Sequence, residues 1–515
     1  MNKSIAEKQI YDLKLNSLNK KILFGVSAVW VHKFIVICIN LILIPLLYVY
    51  LDKEILGIWF LMIGAQMVTG FFDFGLGQTL QRRIAFVKGR FGENPDIALS
   101  EVSKQKIRNL LATSRRIFHI ISLSVFILLL VGGFLYFNFL NINQSLKNEI
   151  YTAWIIMSFG YAASMWGWYI EASLNGMGNI GWSNMINTIL WFFVLAASYI
   201  SLFLGYGIIA LSFIWFFRGI LLRMIGWNII TKKHSWIKEK KGIWKALEFK
   251  SMLKPALKWW IAVAGTFFLT GSARYFIGYY MGASFVPDYV ATFTALSFLQ
   301  SLFISLVFVI TPLISQMFKA GHIDNIKKYI RELTLLALNL LIMIYLFIGF
   351  YGEEIFSLWL DKNHFVGYPV LFFLLLMMFL EAHHGMLNVI NIAAEELSFY
   401  KYTLASGFIS ILLFIFLIPL LGVLGAAVSI FTAQLITNNW KIPMIALRII
   451  NYKFFDYIKD VIMKIAFAGI SILSFHIVLK YLNVTKVLSI ILTAVLISIF
   501  SFIYIKRSII FLSQK

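Results

Sequence analysis

Fourteen separate blocks of apolar residues, each about 20 to 28 long, follow one another down the chain, and each suffices to cross a hydrocarbon core of about 30 Å at 1.5 Å per residue. A backbone in lipid must satisfy its hydrogen bonds internally, which leaves helices and closed barrels. The period-2 alternation of a barrel strand is absent from these runs, so each block is predicted to be a helix. Sixty per cent of the 515 residues are hydrophobic and only 13% are charged, far from the balance of a soluble domain. The expected fold class is therefore an all-α polytopic membrane protein of about fourteen transmembrane helices.

Hydropathy, with breaks at charged clusters and glycine turns, places spans near 22–50, 55–80, 117–140, 150–174, 184–204 and 208–230. A second six lie near 257–281, 289–315, 333–351, 368–394, 402–420 and 425–442, and two more near 461–480 and 486–505. This reading gives an N-terminal lobe over residues 1–230, a basic connection over 231–256, a C-terminal lobe over 257–442 and two additional spans in 443–515. The first run exceeds a signal-peptide core and is not followed by a small-residue cleavage site, so it is expected to stay as a span. Cys38 is the sole cysteine, which rules out an intramolecular disulfide or a cysteine cluster for zinc or iron–sulfur; no cofactor is expected.

Alternate loops differ sharply in Lys and Arg. Arg82, Arg83, Lys88, Arg90, Arg115, Arg116 and the Lys232–Lys258 run all fall on the side read as cytoplasmic. Both termini are then cytoplasmic and the number of spans is even. The net charge of +22 is mostly this topology, with attraction to anionic membrane lipids as a by-product. Nucleic acid is not an expected partner, since the basic loops carry no identifiable binding module. The abundance of Phe, Ile, Lys and Asn looks like a gene of low GC content and suggests a bacterial plasma membrane.

An internal repeat is visible. Leu204-Gly-Tyr-Gly-Ile-Ile-Ala-Leu-Ser212 matches Leu421-Gly-Val-Leu-Gly-Ala-Ala-Val-Ser429 at Leu, Gly, Ala and Ser, about 217 residues apart. Six spans separate the copies, so the two six-helix lobes are expected to form a parallel pseudo-repeat, an arrangement found in some transporters, with two extra C-terminal helices.

An ionisable side chain at the centre of a span costs about 2.5 to 3.5 kcal/mol on insertion scales, and such residues usually face a wet cavity or a partner. Lys33, Asp73, Glu171, Arg218, Arg274 and Glu381 fall in spans. Asp73, Glu171 and Arg218 could reach a helix end or interface by snorkelling, whereas Lys33, Arg274 and Glu381 lie deeper. Glu381, His384, Asn388 and Asn391 recur at offsets that place them on one helical face, as a cavity lining or as hydrogen-bonding glue between helices. His383 points elsewhere and is read as packing, so the histidine pair is not a metal site on one face. Ser164, Trp168, Glu171 and Asn175 repeat the pattern in the fourth span, and Thr266, Thr270 and Arg274 in the seventh. Trp166, Trp168 and Tyr169 could stack on sugars, although an interfacial aromatic belt is the commoner use of such rings.

Lys33 and Arg274, one in the opening span of each lobe, could hold a diphosphate, or each could pair with Asp73, Glu171 or Glu381. Arg218, Asn40, Trp168 and Asn388 join them as candidate substrate contacts. Asp73, Glu171, Glu381 and His384 are candidates for a coupling proton or sodium ion. No G-x-S-x-G elbow, Walker loop, H-E-x-x-H or exposed carboxylate pair is present, so neither covalent catalysis nor a self-contained ATP-driven pump is expected.

The run Asp73-Phe-Gly-Leu-Gly-Gln-Thr-Leu-Gln-Arg-Arg-Ile-Ala85 resembles the signature after the second span of bacterial polysaccharide exporters, the O-antigen flippase type most closely. Leu174-Asn-Gly-Met-Gly-Asn179, Thr311-Pro312-Leu-Ile-Ser315 and the two spans beyond twelve extend the resemblance over nearly the whole chain. It implies the multidrug/oligosaccharidyl-lipid/polysaccharide exporter fold, with two six-helix lobes in a V, alternating access and a cationic central cavity. The substrate it implies is a polyprenyl-diphosphate-linked oligosaccharide, flipped to the outer leaflet, with Lys33 and Arg274 on the diphosphate. A polysaccharide polymerase and a chain-length regulator are the implied partners. The alternatives are a peptidoglycan lipid precursor flippase or a cation-coupled multidrug exporter of the same fold. A membrane polymerase or glycosyltransferase should carry a large outer loop or catalytic domain, whereas the longest connections here are basic and cytoplasmic.

Overall fold

The computed structural model describes residues 29–89, 99–140, 142–308, 310–394, 396 and 398–513. Among the described residues every regular element is helical, and twelve helices are long and apolar enough to cross a membrane. The chain divides into two compact units, Met1–Val263 and Ala264–Lys515.

In the first unit, α1 (Val29–Tyr50) and α2 (Lys53–Phe72) are followed by α3 (Leu76–Gly89), α4 (Glu101–Phe139) and α5 (Lys147–Gly176). Then come α6 (Ile180–Phe203), α7 (Gly207–Lys233), the short α8 (Trp236–Glu239) and α9 (Ala246–Thr266), whose end passes into the second unit. The core is the pairing of α5 with α7. A Cβ on Gly160 would stand 2.9 Å from the Phe216 Cα, and one on Gly219 would stand 2.7 Å from the Gly160 carbonyl oxygen. Small residues let these backbones meet, which is how helices pack where lipid supplies no hydrophobic drive between them. Trp154 Nε1 donates to the Leu129 carbonyl at 2.9 Å, Ser122 Oγ to that of Ala162 at 2.7 Å, and the Tyr161 hydroxyl to that of Met62 at 3.1 Å. These bonds tie α5 to α4 and α2.

The second unit holds α10 (Ala273–Met281), α11 (Val286–Phe308), α12 (Thr311–Lys319), α13 (Ile323–Leu360), α14 (Tyr368–Ala393) and α15 (Phe399–Leu421). It continues with α16 (Val423–Ile436), α17 (Asn438–Ile449), α18 (Phe454–Tyr457), α19 (Met463–Tyr481) and α20 (Lys486–Ser513). Gln300 Nε2 donates to the Met378 carbonyl at 3.0 Å and the Tyr345 hydroxyl to that of Leu296 at 3.1 Å, joining α11 to α14 and α13.

The repeat survives as backbone geometry. Gly205 and Gly422, 217 positions apart, both take positive φ (77° and 62°) between consecutive helices. Ser212 and Ser429 each donate to the carbonyl four residues back, at 2.9 and 2.6 Å.

Helix ends differ from the hydropathy reading where polar helix continues beyond the apolar run. The third predicted span starts at Glu101 because Ser100 accepts a hydrogen bond from the Ser103 amide at 3.2 Å and Glu101 lies in the first turn, a sound N-terminus. The second predicted span stops at Phe72, eight residues early, at a turn described below. Two predicted spans do not belong to the twelve. The fourth, α5, has 30 residues, about 45 Å of helix, but is less apolar. The twelfth is split into α16 and α17 at Thr437 (φ −122°, ψ −79°). The seventh holds a π-turn at Phe267–Gly271, and the ninth, α13, is kinked at Tyr351 (φ −121°, ψ 25°). Residues 22–28 and Arg90, read above as span and basic loop, lie outside the described residues.

Candidate functional site

Each unit contains a cluster of polar side chains between its helices. In the first unit it gathers on α5, α6 and α7. Glu171 Oε1 accepts from Asn187 Nδ2 at 3.1 Å and from Ser183 Oγ at 3.5 Å, and the carboxylate interacts electrostatically with Arg218. Arg218 is only 8% exposed. Its guanidinium lies 5.3 Å from the Trp191 ring centre and 5.2 Å from that of Trp215, and these two rings meet edge to face at 6.0 Å. The cation thus lies against two indole faces in the interior, with the Glu171 carboxylate acting on it electrostatically, and is not drawn to an interface by snorkelling.

His32 on α1 extends this cluster. Thr188 has one hydroxyl proton and donates it to the Asn184 carbonyl at 2.8 Å, so toward His32 Nδ1, also at 2.8 Å, it accepts. That fixes the His32 proton on Nδ1. Arg218 and Lys33 both act on this ring with positive charge. Lys33 itself is exposed, and Asn40, two turns further along α1, is half-buried with its amide donating to the Val36 carbonyl at 2.8 Å.

Asp73 sits at the corner between α2 and α3. Phe74 and Gly75 take positive φ (51° and 69°), and the buried Asp73 carboxylate turns back to accept from the Gly77 amide at 3.0 and 3.4 Å. It satisfies a free amide in the first turn of α3, as an acidic cap does. Gly77 also makes room for Trp168, since a Cβ there would stand 3.3 Å from the Trp168 Nε1. Phe71 and Phe74 pack on Trp260, with ring centres at 5.0 and 5.6 Å. The exporter-like signature at 73–85 therefore builds a capped, aromatic-buttressed corner.

The second unit places the α14 stripe against the broken α16–α17 passage. His384 Nδ1 donates to Asn439 Oδ1 at 3.0 Å, Asn391 Nδ2 to Asn388 Oδ1 at 3.0 Å, and Gln434 Nε2 to Glu381 Oε2 at 3.4 Å. His384 and Asn391 are buried, while Glu381 and Asn388 are half-buried. Glu381 also acts electrostatically on His384. His383, one position before His384, pairs with the Tyr457 hydroxyl at 2.8 Å. Arg274 is half-buried at the start of α10, directly after the π-turn, and its field reaches Tyr275 and Tyr289. Among the described residues no group of three or more His, Cys, Asp or Glu could hold a metal ion.

The first-unit cluster thus brings Glu171 near Arg218 and sets Lys33 beside His32, and the second brings Glu381 near His384, with Asn388 tied to Asn391 further along α14. Asp73 and Trp168 both border Gly77 at the α2–α3 corner. Sequence reasoning missed His32, Ser183, Asn187, Trp191, Gln434 and Asn439. Ser183, Asn187 and Trp191 recur at a spacing of four along the fifth span, a signal comparable to the one used for α14.

Fold and clusters together define a multi-pass helical membrane protein with polar side chains held inside both units. The fold is shared with a lipid II flippase, MurJ, in an inward closed conformation, at 16% identity and a TM-score of 0.66 over 95% of this chain and 100% of that one. It is shared also with an inward-facing multidrug resistance MATE family transporter of the MOP superfamily, at 14% and 0.63 over 80% of this chain and 94% of that one. A Pyrococcus furiosus MOP superfamily transporter, for which reverse polarity of the binding pocket suggests a different function, matches at 12% and 0.56 over 83% of this chain and 95% of that one. No family model and no curated protein matches the chain.

Proposed function

We propose that this chain is a flippase that moves a polyprenyl-diphosphate-linked oligosaccharide, of the O-antigen or capsule repeat type, from the cytoplasmic to the outer leaflet of a bacterial plasma membrane by alternating access. The observation that carries this reading is the extent of the fold likeness: the MurJ flippase is matched over 95% of this chain, the MATE transporter over 80%. The fuller match to the flippase favours a carrier of lipid-linked glycans over a drug exporter.

In this reading residues 1–230 and 257–442 are the moving lobes, 231–256 is their cytoplasmic connection, and 443–515 supplies two accessory spans with both termini cytoplasmic. Lys33 and Arg274 meet the diphosphate; Asn40, Trp168, Arg218 and Asn388 contribute further substrate contacts. Asp73, Glu171, Glu381 and His384 are the groups available to a coupling ion. A polymerase and a chain-length regulator receive the product.

The test is translocation of a fluorescent polyprenyl-diphosphate oligosaccharide in vesicles containing the purified protein. Lys33→Ala and Arg274→Ala should each lower the rate about tenfold or more, as removal of a charge-assisted contact of about 1.5 to 3 kcal/mol does, with the thermal midpoint unchanged. Failure of the wild-type protein to move any lipid-linked glycan would overturn the function, and full activity of the double variant would overturn the site. The second reading, a peptidoglycan precursor flippase, is favoured by the MurJ likeness. Lipid II as the faster substrate in the same vesicles would select it.

A further inference from the structure

A cavity of about 580 Å³ lies in the first unit at the basic end of α4, away from the clusters described above. Its cationic lining is Arg108, Arg115 and Arg116 from α4 with Lys238, Lys240 and Lys241 from the segment after α7. No carboxylate lines it, although Glu101 and Glu239 each stand 3.7 Å from Arg108 at its edge. Tyr169, Trp227 and Trp244 form its aromatic side, and the Arg116 guanidinium lies 5.3 Å from the Trp244 ring centre.

Two observations mark this cavity as built rather than as a chance crowd of surface lysines. The segment that walls it is fixed to α4: the Ile243 amide donates to Asn109 Oδ1 at 2.9 Å and the Lys245 amide to Thr113 Oγ1 at 3.2 Å. Gly242 lies so close that a Cβ there would stand 2.0 Å from the Arg108 carbonyl oxygen. The Arg108 side chain, 1% exposed, spends Nε on the Trp236 carbonyl at 2.9 Å and Nη1 on Gln105 Oε1 at 3.1 Å, and its buried Nη2 has the Glu239 carboxylate at 3.7 Å but no hydrogen bond. His119 Nε2, also buried at this lining, has no hydrogen-bond partner either. Six like charges repel, and unsatisfied buried donors are costly, so an anion that accepts hydrogen bonds lowers the free energy of the whole arrangement.

We propose that this cavity binds a phosphate-bearing group, with the guanidinium and ammonium groups on the phosphate and the Tyr169, Trp227 and Trp244 rings against the apolar part of the ligand. Basic pockets at the cytoplasmic ends of membrane helices suit anionic lipid headgroups. A soluble diphosphate offers the same chemistry. Because the pocket wall is the segment leading from α7 to α9, occupancy would clamp that segment onto α4.

Binding is read from Trp fluorescence and thermal midpoint of the full-length protein in nanodiscs. One arm raises phosphatidylglycerol against phosphatidylcholine; the other adds uridine diphosphate to nanodiscs of phosphatidylcholine alone. The comparison is with Arg115→Gln/Arg116→Gln/Lys240→Gln/Lys241→Gln, all exposed positions, and with a charge-matched control changing Lys328, Lys401, Lys453 and Lys459 to Gln. Saturable binding by the wild type and control, weakened at least about tenfold in the pocket variant, is expected. The responding arm identifies the source of the phosphate. No saturable response in either arm, or equal binding by the pocket variant, would overturn the proposal.

Discussion

The half-buried Glu171 and the buried Arg218 act on each other electrostatically, and the hydrogen bonds and ring contacts around them come from neutral side chains. Asn187 and Ser183 serve the carboxylate, and the Trp191 and Trp215 rings flank the guanidinium. Removing one member strands the other, which costs about 3 to 5 kcal/mol, whereas replacing both leaves no uncompensated charge. Arg218→Met and Glu171→Gln should each lower the thermal midpoint strongly, and the double variant should recover most of the loss. Additive losses in that cycle would show that the two residues do not act as a pair.

How much of this was legible in the sequence follows from what each feature costs. The helices were, because lipid permits the backbone little else. The ionised members of the clusters also stood out, because charge at membrane depth is expensive. Their neutral partners did not: His32, Asn187 and Asn439 carry no such penalty, and only the fold brings them to Thr188, Glu171 and His384. The α2–α3 corner and the kink at Tyr351 were hidden because they depend on positive φ at a phenylalanine and on contacts with distant helices. The segment over 231–256 reads as a basic connection, and nothing in its sequence shows that its Ile243 and Lys245 amides are bound by Asn109 and Thr113.

His234, just after α7, receives a hydrogen bond from Asn179 on Nε2 at 2.9 Å, the neutral ring acting as acceptor. Burial, and then the positive charges of Lys88 and Lys233, hold its pKa below the usual 6.5. Lys88 meanwhile donates to the Met177 carbonyl at 2.8 Å, so the α5–α6 turn is held from two sides. Below pH 6.5 the unfolded chain takes up this proton before the folded one does. The stabilisation is therefore complete above 6.5 and is lost as pH falls through 6.5 toward the lower folded value. His234→Gln should flatten this part of the thermal midpoint profile between about pH 7 and 5. An unchanged profile would assign the acid sensitivity elsewhere.

Tyr351 closes the kink of α13 by sending its hydroxyl to the last two helices: His476 Nδ1 at 3.2 Å, Ser489 Oγ at 2.9 Å and Thr493 Oγ1 at 3.1 Å. Phe350 stacks on the His476 ring at 3.9 Å. The hydroxyl is thus the shared polar contact of α13, α19 and α20. Tyr351→Phe should cost about 1 to 3 kcal/mol, because it leaves buried hydroxyls short of a partner. Hydrogen exchange should speed up in α19 and α20 and stay unchanged in the first unit. Uniform loss of protection would instead make the contact part of global stability.

The α14 cluster offers the sharpest test of ion coupling. His384 spends its Nδ1 proton on Asn439, and the Leu380 backbone one turn back also bonds the ring. Glu381, one helical turn away, sits half-buried with Gln434 as a 3.4 Å donor and acts electrostatically on that ring. A proton arriving at either group changes the charge seen by the other, and a neutral side chain at 381 breaks that link. Glu381→Gln should therefore translocate at a rate that no longer responds to an imposed proton or sodium gradient, while a wild-type response persists in Glu332→Gln, a carboxylate at the far end of α13 from the kink. The readout is the initial rate in vesicles with and without each gradient. An identical response of wild type and Glu381→Gln would remove Glu381 from the coupling and leave its carboxylate a purely structural partner of Gln434.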